Sequence, residues 1–122
     1  MPELNPERQR KAILVVDDNA DLLETMAAVL ELDGYAVLRA SNGKEALKIA
    51  EDDSVCLILL DLSMPVMNGW EFLEERQRSP ELASIPVVVL SANASPKPRE
   101  TDDVLQKPVK LDELRQIVQR HC

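Results

Sequence analysis

At 122 residues the chain has the length of one domain, with 45% hydrophobic residues and 22 acidic against 14 basic side chains, a net charge of −8. A chain of this size buries roughly two-thirds of its unfolded surface, so one core suffices, and an aromatic content of only 2% makes that core aliphatic. The acidic balance argues against nucleic acid or anionic membrane as a direct partner, since both need basic surface, and no apolar stretch reaches the ~18 residues of a membrane span.

Met1 to Arg10 is polar and proline-containing and reads as a lead-in without the apolar core of a signal peptide, leaving residues 11–122 as the domain. The first strand is Ala12-Ile13-Leu14-Val15-Val16, ending in Asp17-Asp18. Leu22, Leu23, Met26, Val29 and Leu30 then recur at three-to-four spacing, an amphipathic helix ended by Gly34. Residues 35–40 form a weaker second strand. Asn42 with Glu45 three residues on marks the start of a second helix.

The third strand is Val55-Cys56-Leu57-Ile58-Leu59-Leu60, closed by Asp61 and followed by Leu62-Ser63-Met64-Pro65-Val66-Met67-Asn68-Gly69. Asn68 with Glu71 repeats the capping pattern and opens a helix carrying Trp70, Phe72 and Leu73, with Trp70 expected to pack against the helix's neighbours. Ile85 to Leu90 is a fourth, largely β-branched strand, and a short fifth lies around Val104-Leu105, before Lys107-Pro108. Leu111, Leu114, Ile117 and Val118 build the last helix. His121, the only histidine, falls in its final turn, where a cation suits the helix dipole.

Cys56 and Cys122 show neither metal-ligand spacing nor a disulfide framework. Cys56 reads as a small core residue, and a reducing cytoplasm is the setting that follows.

Strand–helix alternation with wholly apolar runs predicts parallel strands buried on both faces. The expected fold is α/β: a flavodoxin-like, doubly wound, five-stranded parallel sheet in the order 2-1-3-4-5. In that order strands 1 and 3 lie side by side at the switch point, where ligands bind beyond the carboxyl ends. Asp17, Asp18 and Asp61 stand there. Carboxylates crowded together repel unless a cation neutralises them, and Mg²⁺ suits one or two carboxylates plus a phosphate. Ser91 after the fourth strand offers a hydrogen bond to a phosphoryl oxygen, and Lys107 after the fifth offers positive charge.

This pattern resembles the receiver domains of two-component response regulators. The resemblance rests on Asp17-Asp18, on Asp61 with Met64-Pro65 and Gly69, on Ser91-Ala92 and on Lys107-Pro108, and it spans about residues 11–120. It implies that Asp61 is the phosphoacceptor, taking phosphate from the phosphohistidine of a histidine kinase or phosphotransfer protein. Asp18, Asp61 and the backbone carbonyl of Ser63 would bind Mg²⁺ directly, and Asp17 through water. Ser91 and Lys107 would hold the phosphoryl group and move towards it on activation. Such a domain is a switch acting on a downstream protein, not a turnover enzyme, and catalyses only its own phosphorylation and dephosphorylation; the oligomeric state is open, with monomer as the default.

Two features depart from that family. Three positions before the lysine, where it usually has an aromatic residue, stands Val104. The fifteen residues between Ser91 and Lys107 carry Pro96 and Pro98 and little apolar periodicity, which predicts a shortened fourth helix or a loop over 93–103. These departures keep open a pseudo-receiver, a phosphorylation-independent interaction module. A small hydrolase or nucleotide binder fits less well: there are three glycines, no phosphate-cradling loop, and Ser63 where an aspartate-nucleophile phosphatase wants a second carboxylate. A stand-alone regulator and a receiver within a longer protein are equally compatible with the sequence.

Overall fold

The computed structural model describes residues 11–52, 54–62, 67–91 and 102–122. Five strands, β1 (Ala12–Val16), β2 (Ala36–Ala40), β3 (Val55–Asp61), β4 (Val87–Ser91) and β5 (Asp103–Gln106), form one parallel sheet in the order β2-β1-β3-β4-β5. The expected order is therefore the observed one. Every residue of β1 is buried, and so are Val87 to Leu90 of β4, as strands covered on both faces require. The edge strands β2 and β5 are only part-buried.

The helices are α1 (Ala20–Leu32), α2 (Gly43–Asp52), α3 (Gly69–Gln77), α4 (Pro80–Ala83) and α5 (Leu111–His121). Alternate residues of the central strands feed two cores. Leu14, Val16, Ile58, Leu60, Val87 and Val89 pack with Ala46, Ala50, Phe72 and Leu73 of α2 and α3. Ile13, Val15, Leu57, Leu59, Val88 and Leu90 pack with Leu23, Met26 and Leu30 of α1 and with Leu114, Ile117 and Val118 of α5.

The helix ends follow local chemistry. Gly34 at φ 96° ends α1. Its N–H reaches Glu31 O at 3.0 Å and that of Tyr35 reaches Leu30 O at 3.1 Å, the paired bonds of a left-handed C-cap that glycine adopts without Cβ strain. A complete capping box opens α3: Asn68 Oδ1 accepts from Glu71 N–H at 2.9 Å and Glu71 Oε1 accepts from Asn68 N–H at 3.0 Å. At α2 the reciprocal bond slips by one residue, because Glu45 Oε1 accepts from Ser41 N–H at 2.7 Å. Buried Arg76 of α3 donates Nη2 to Ala83 O at 2.9 Å and Ile85 O at 2.6 Å, satisfying carbonyls where the chain turns from α4 into β4.

Three expectations need correction or fall outside these residues. Cys56 is not a lone core residue: it is half-buried and joined to Cys122 by a disulfide, with Cα atoms 5.5 Å apart. The last turn of α5 ends beside the start of β3, a juxtaposition across 66 residues that no local spacing announces. Trp70 is 45% exposed, while Phe72 and Leu73 take the core positions. The shortened helix or loop expected over 93–103 falls outside the described residues, apart from Asp102 and Asp103. The chain's fourth helix in order, α4, is a single turn before β4.

Candidate functional site

Parallel register brings the carboxylates together. The last paired residues of β1 and β3 are Val16 and Leu60, and one step beyond them come Asp17 and Asp61. Both face the side of the sheet covered by α1 and α5, since strand side chains alternate and Val15 and Leu59 point that way. Asp17 is completely buried. Its N–H donates to Ala40 O at 3.1 Å, and its Oδ1 accepts from Asn19 N–H at 2.9 Å, which fixes the carboxylate at the mouth of α1. Asp18, next along, is exposed. One oxygen from each of Asp17, Asp18 and Asp61 lies within 4.8 Å of the others, a trio of hard donors that fits a cation such as Mg²⁺.

Lys107 enters from β5. Its N–H donates to Ser91 O at 2.7 Å, extending the β4–β5 ladder and setting the lysine beside the end of β4. From there Nζ lies 3.1 Å from Asp17 Oδ2 and 3.6 Å from Asp61 Oδ2. The contact with Asp17 is an ion pair without hydrogen-bond geometry, and among the described residues Asp17 Oδ2 has no hydrogen-bond partner. A buried carboxylate oxygen so placed depends on the lysine charge. Ser91 closes β4, one position past Leu90, the register partner of Asp61. Asp17, Asp18, Asp61, Ser91 and Lys107 thus all stand at the carboxyl end of the sheet. Ser63 lies outside the described residues.

Two glycines hold the chain after Asp61, and the sequence gives little sign of one of them. Gly69 N–H donates to Leu62 O at 3.0 Å, and a Cβ at Gly69 would come within 2.7 Å of both Asp61 O and Leu62 Cα. Gly43, at the start of α2, donates to Met67 O at 2.8 Å with equally little room. Only a residue without Cβ lets these helix starts sit so close to backbone. Gly69→Ala is expected to lower stability by about 2 kcal/mol and to weaken any cation binding at Asp61 as the loop shifts. An unchanged denaturation midpoint would show that the loop yields freely.

Val104 pairs with Val89 and packs against the core under α2 and α3, so an aliphatic side chain occupies the position three before the lysine. Further along the α5 face, Asp103 accepts from Arg120 Nη1 at 2.8 Å and lies 3.5 Å from His121 Nε2. The final-turn histidine therefore has an acidic neighbour as well as the helix dipole. Burial pushes the Asp103 carboxyl up, but the Val104 N–H, His121 and Arg120 outweigh it and hold the group below its ordinary value of 3.8. A depressed carboxyl contributes stability above its unfolded value, lost as pH falls through its folded one. Asp103→Asn should thus be the less stable protein at pH 6, with a deficit that shrinks as pH falls below the ordinary carboxyl value, read by denaturant titration across that range.

The response regulator receiver domain family matches residues 13–119. Among solved structures, the chemotaxis response regulator CheY4 of Vibrio cholerae superposes with a TM-score of 0.83 at 30% identity, covering 92% of this chain and 98% of that one. The receiver domain of sensor histidine kinase PA1611 from Pseudomonas aeruginosa superposes with a TM-score of 0.83 at 32% identity, over 91% of this chain and 96% of that one. That structure has a magnesium ion coordinated in its active-site cleft. The hybrid signal transduction protein dokA of Dictyostelium discoideum is 36% identical over 94% of this chain, which spans only 7% of that much longer relative. With the sheet order, the acidic pocket and the matched span in agreement, the chain belongs to the response regulator receiver domain family of two-component signalling proteins.

Proposed function

We propose that the chain is a Mg²⁺-dependent phosphoacceptor switch in which Asp61 takes a phosphoryl group from a histidine kinase or phosphotransfer protein in the cytoplasm. The observation that carries this reading is the convergence of Asp17, Asp18 and Asp61 within 4.8 Å, with Lys107 Nζ 3.1–3.6 Å from two of them. Asp17, Asp18 and Asp61 would hold Mg²⁺, joined by the carbonyl of Ser63. The ion supplies charge neutralisation for the incoming phosphoryl oxygens. Asp61 Oδ attacks phosphorus, the P–N bond to the donor histidine breaks, and the imidazole keeps the electron pair. Lys107 and Ser91 bind the equatorial oxygens, where transition-state charge spreads.

Residues 11–122 act as the switch domain, relaying a change at the Lys107 end of β5 to a downstream protein. The pseudo-receiver reading, suggested by Val104, predicts a pocket that binds no phosphoryl group. Incubation with acetyl phosphate, with and without Mg²⁺, separates the two by intact mass. One phosphoryl adduct that requires the metal supports the switch. No adduct, together with no Mg²⁺-dependent binding of beryllofluoride, leaves the pseudo-receiver.

A further inference from the structure

The disulfide lies at the opposite end of the sheet from the acidic pocket, and the phosphoacceptor reading makes no use of it. Cys56 is the second residue of β3 and Cys122 follows the last residue of α5. Both line an open groove of about 780 Å³ at the amino ends of the central strands, with Lys11, His121, Ile85 and Pro86. Cys122 is exposed and Cys56 half-buried, so a small thiol or a partner's dithiol reaches the bond from solvent. The reduced state is accommodated as well: Cys56 Sγ lies 3.9 Å from Lys11 O, a ready acceptor for the thiol hydrogen. With the bond closed, the Cys122 N–H donates to Val118 O at 2.8 Å and Arg120 pairs with Asp103, so the clip adds a covalent restraint to an already hydrogen-bonded helix end.

We propose that Cys56 and Cys122 form a reversible thiol–disulfide modification site that clips the end of α5 to β3. A dithiol reductant opens it and a low-molecular-weight disulfide closes it. Disulfides in reducing compartments are typically transient or redox-sensing, and an exposed bond is the kind that exchanges. In opening, the reductant thiolate attacks the exposed Cys122 sulfur and Cys56 leaves as thiolate, taking a proton from water. The second reductant thiol then attacks its own sulfur in the mixed disulfide and releases Cys122. Two electrons and two protons pass to the protein, and the reductant becomes a cyclic disulfide. Closing runs the same exchange against glutathione disulfide, which leaves as two glutathione thiols. α5 follows Lys107 by only a few residues, so the clip fixes the far end of the helix that begins beside the acidic pocket.

The full chain would be equilibrated in glutathione buffers of graded potential, alkylated and weighed, with hydrogen exchange of residues 117–122 followed in parallel. The expected result is a single two-electron transition to an intramolecular disulfide, with exchange of the last turn about ten-fold faster in the reduced form. Cys122→Ser should exchange at the reduced rate at every potential. Two free thiols throughout, disulfide-linked dimers, or equal exchange in both forms would each overturn the proposal.

Discussion

Asp61→Asn is expected to reduce acetyl phosphate labelling from one phosphoryl group per chain to none, and to make the metal-free protein slightly more stable. The first effect follows if Asp61 is the nucleophile, because an amide oxygen cannot form the acyl phosphate. The second follows from charge. Each carboxylate pair at up to 4.8 Å repels by at least about 3.5 kcal/mol at an effective dielectric near ~20, while the Lys107 contact at 3.6 Å attracts by about 4–5 kcal/mol. Among the described residues, Asp17 and Asp18 repel Asp61 while Lys107 attracts it, and with screening at exposed Asp18 the expected gain on removing the charge is about 1 kcal/mol. Denaturation in chelator should show this gain, and Mg²⁺ should raise the midpoint of wild type far more than that of the variant. Full labelling of Asp61→Asn would place the acceptor on another residue.

The second large effect is expected at Lys107. Replacing it by methionine keeps most of the side-chain volume but leaves buried Asp17, among the described residues, with no counter-charge on Oδ2, beside Asp61. Breaking a buried pair from one side costs about 3 kcal/mol, because the remaining charge stays desolvated and unpaired. Mg²⁺ brings positive charge to the same carboxylates, so the deficit should narrow with added metal and widen in chelator. Denaturant titrations of wild type and Lys107→Met under both conditions give the comparison. A deficit independent of metal would mean that the lysine supports the fold through packing alone and that the trio holds no ion. The labelling rate of the variant should also fall, since Lys107 is the cation proposed to meet the phosphoryl oxygens.

These two residues show why so much of the site is legible in the chain. A parallel strand ends at its ligand-facing edge, so Val15-Val16-Asp17-Asp18 and Leu59-Leu60-Asp61 declare both the strand and what it presents. Alternating strand and helix patterns with wholly buried runs confine the topology, and the order β2-β1-β3-β4-β5 is the one that follows. The capping pair Asn68 and Glu71 likewise marks the start of α3, since it acts within one turn.

Contacts between residues distant in sequence are a different matter. No periodicity indicates that Cys122 meets Cys56 across 66 residues, that Arg120 and His121 close on Asp103, or that Gly43 has no room for a side chain because Met67 O lies against it. Trp70 shows the same limit, because helical spacing leaves open which residues of a short helix turn to the core. The sequence by itself determined the element order, the fold and the identity of the acidic pocket, because each rests on local patterning and strand-end position. The tertiary structure alone decided the pairing of Lys107 with Asp17, the disulfide and the close approach of Gly69 to Asp61 and Leu62. Those depend on distances set only when helices and sheet pack.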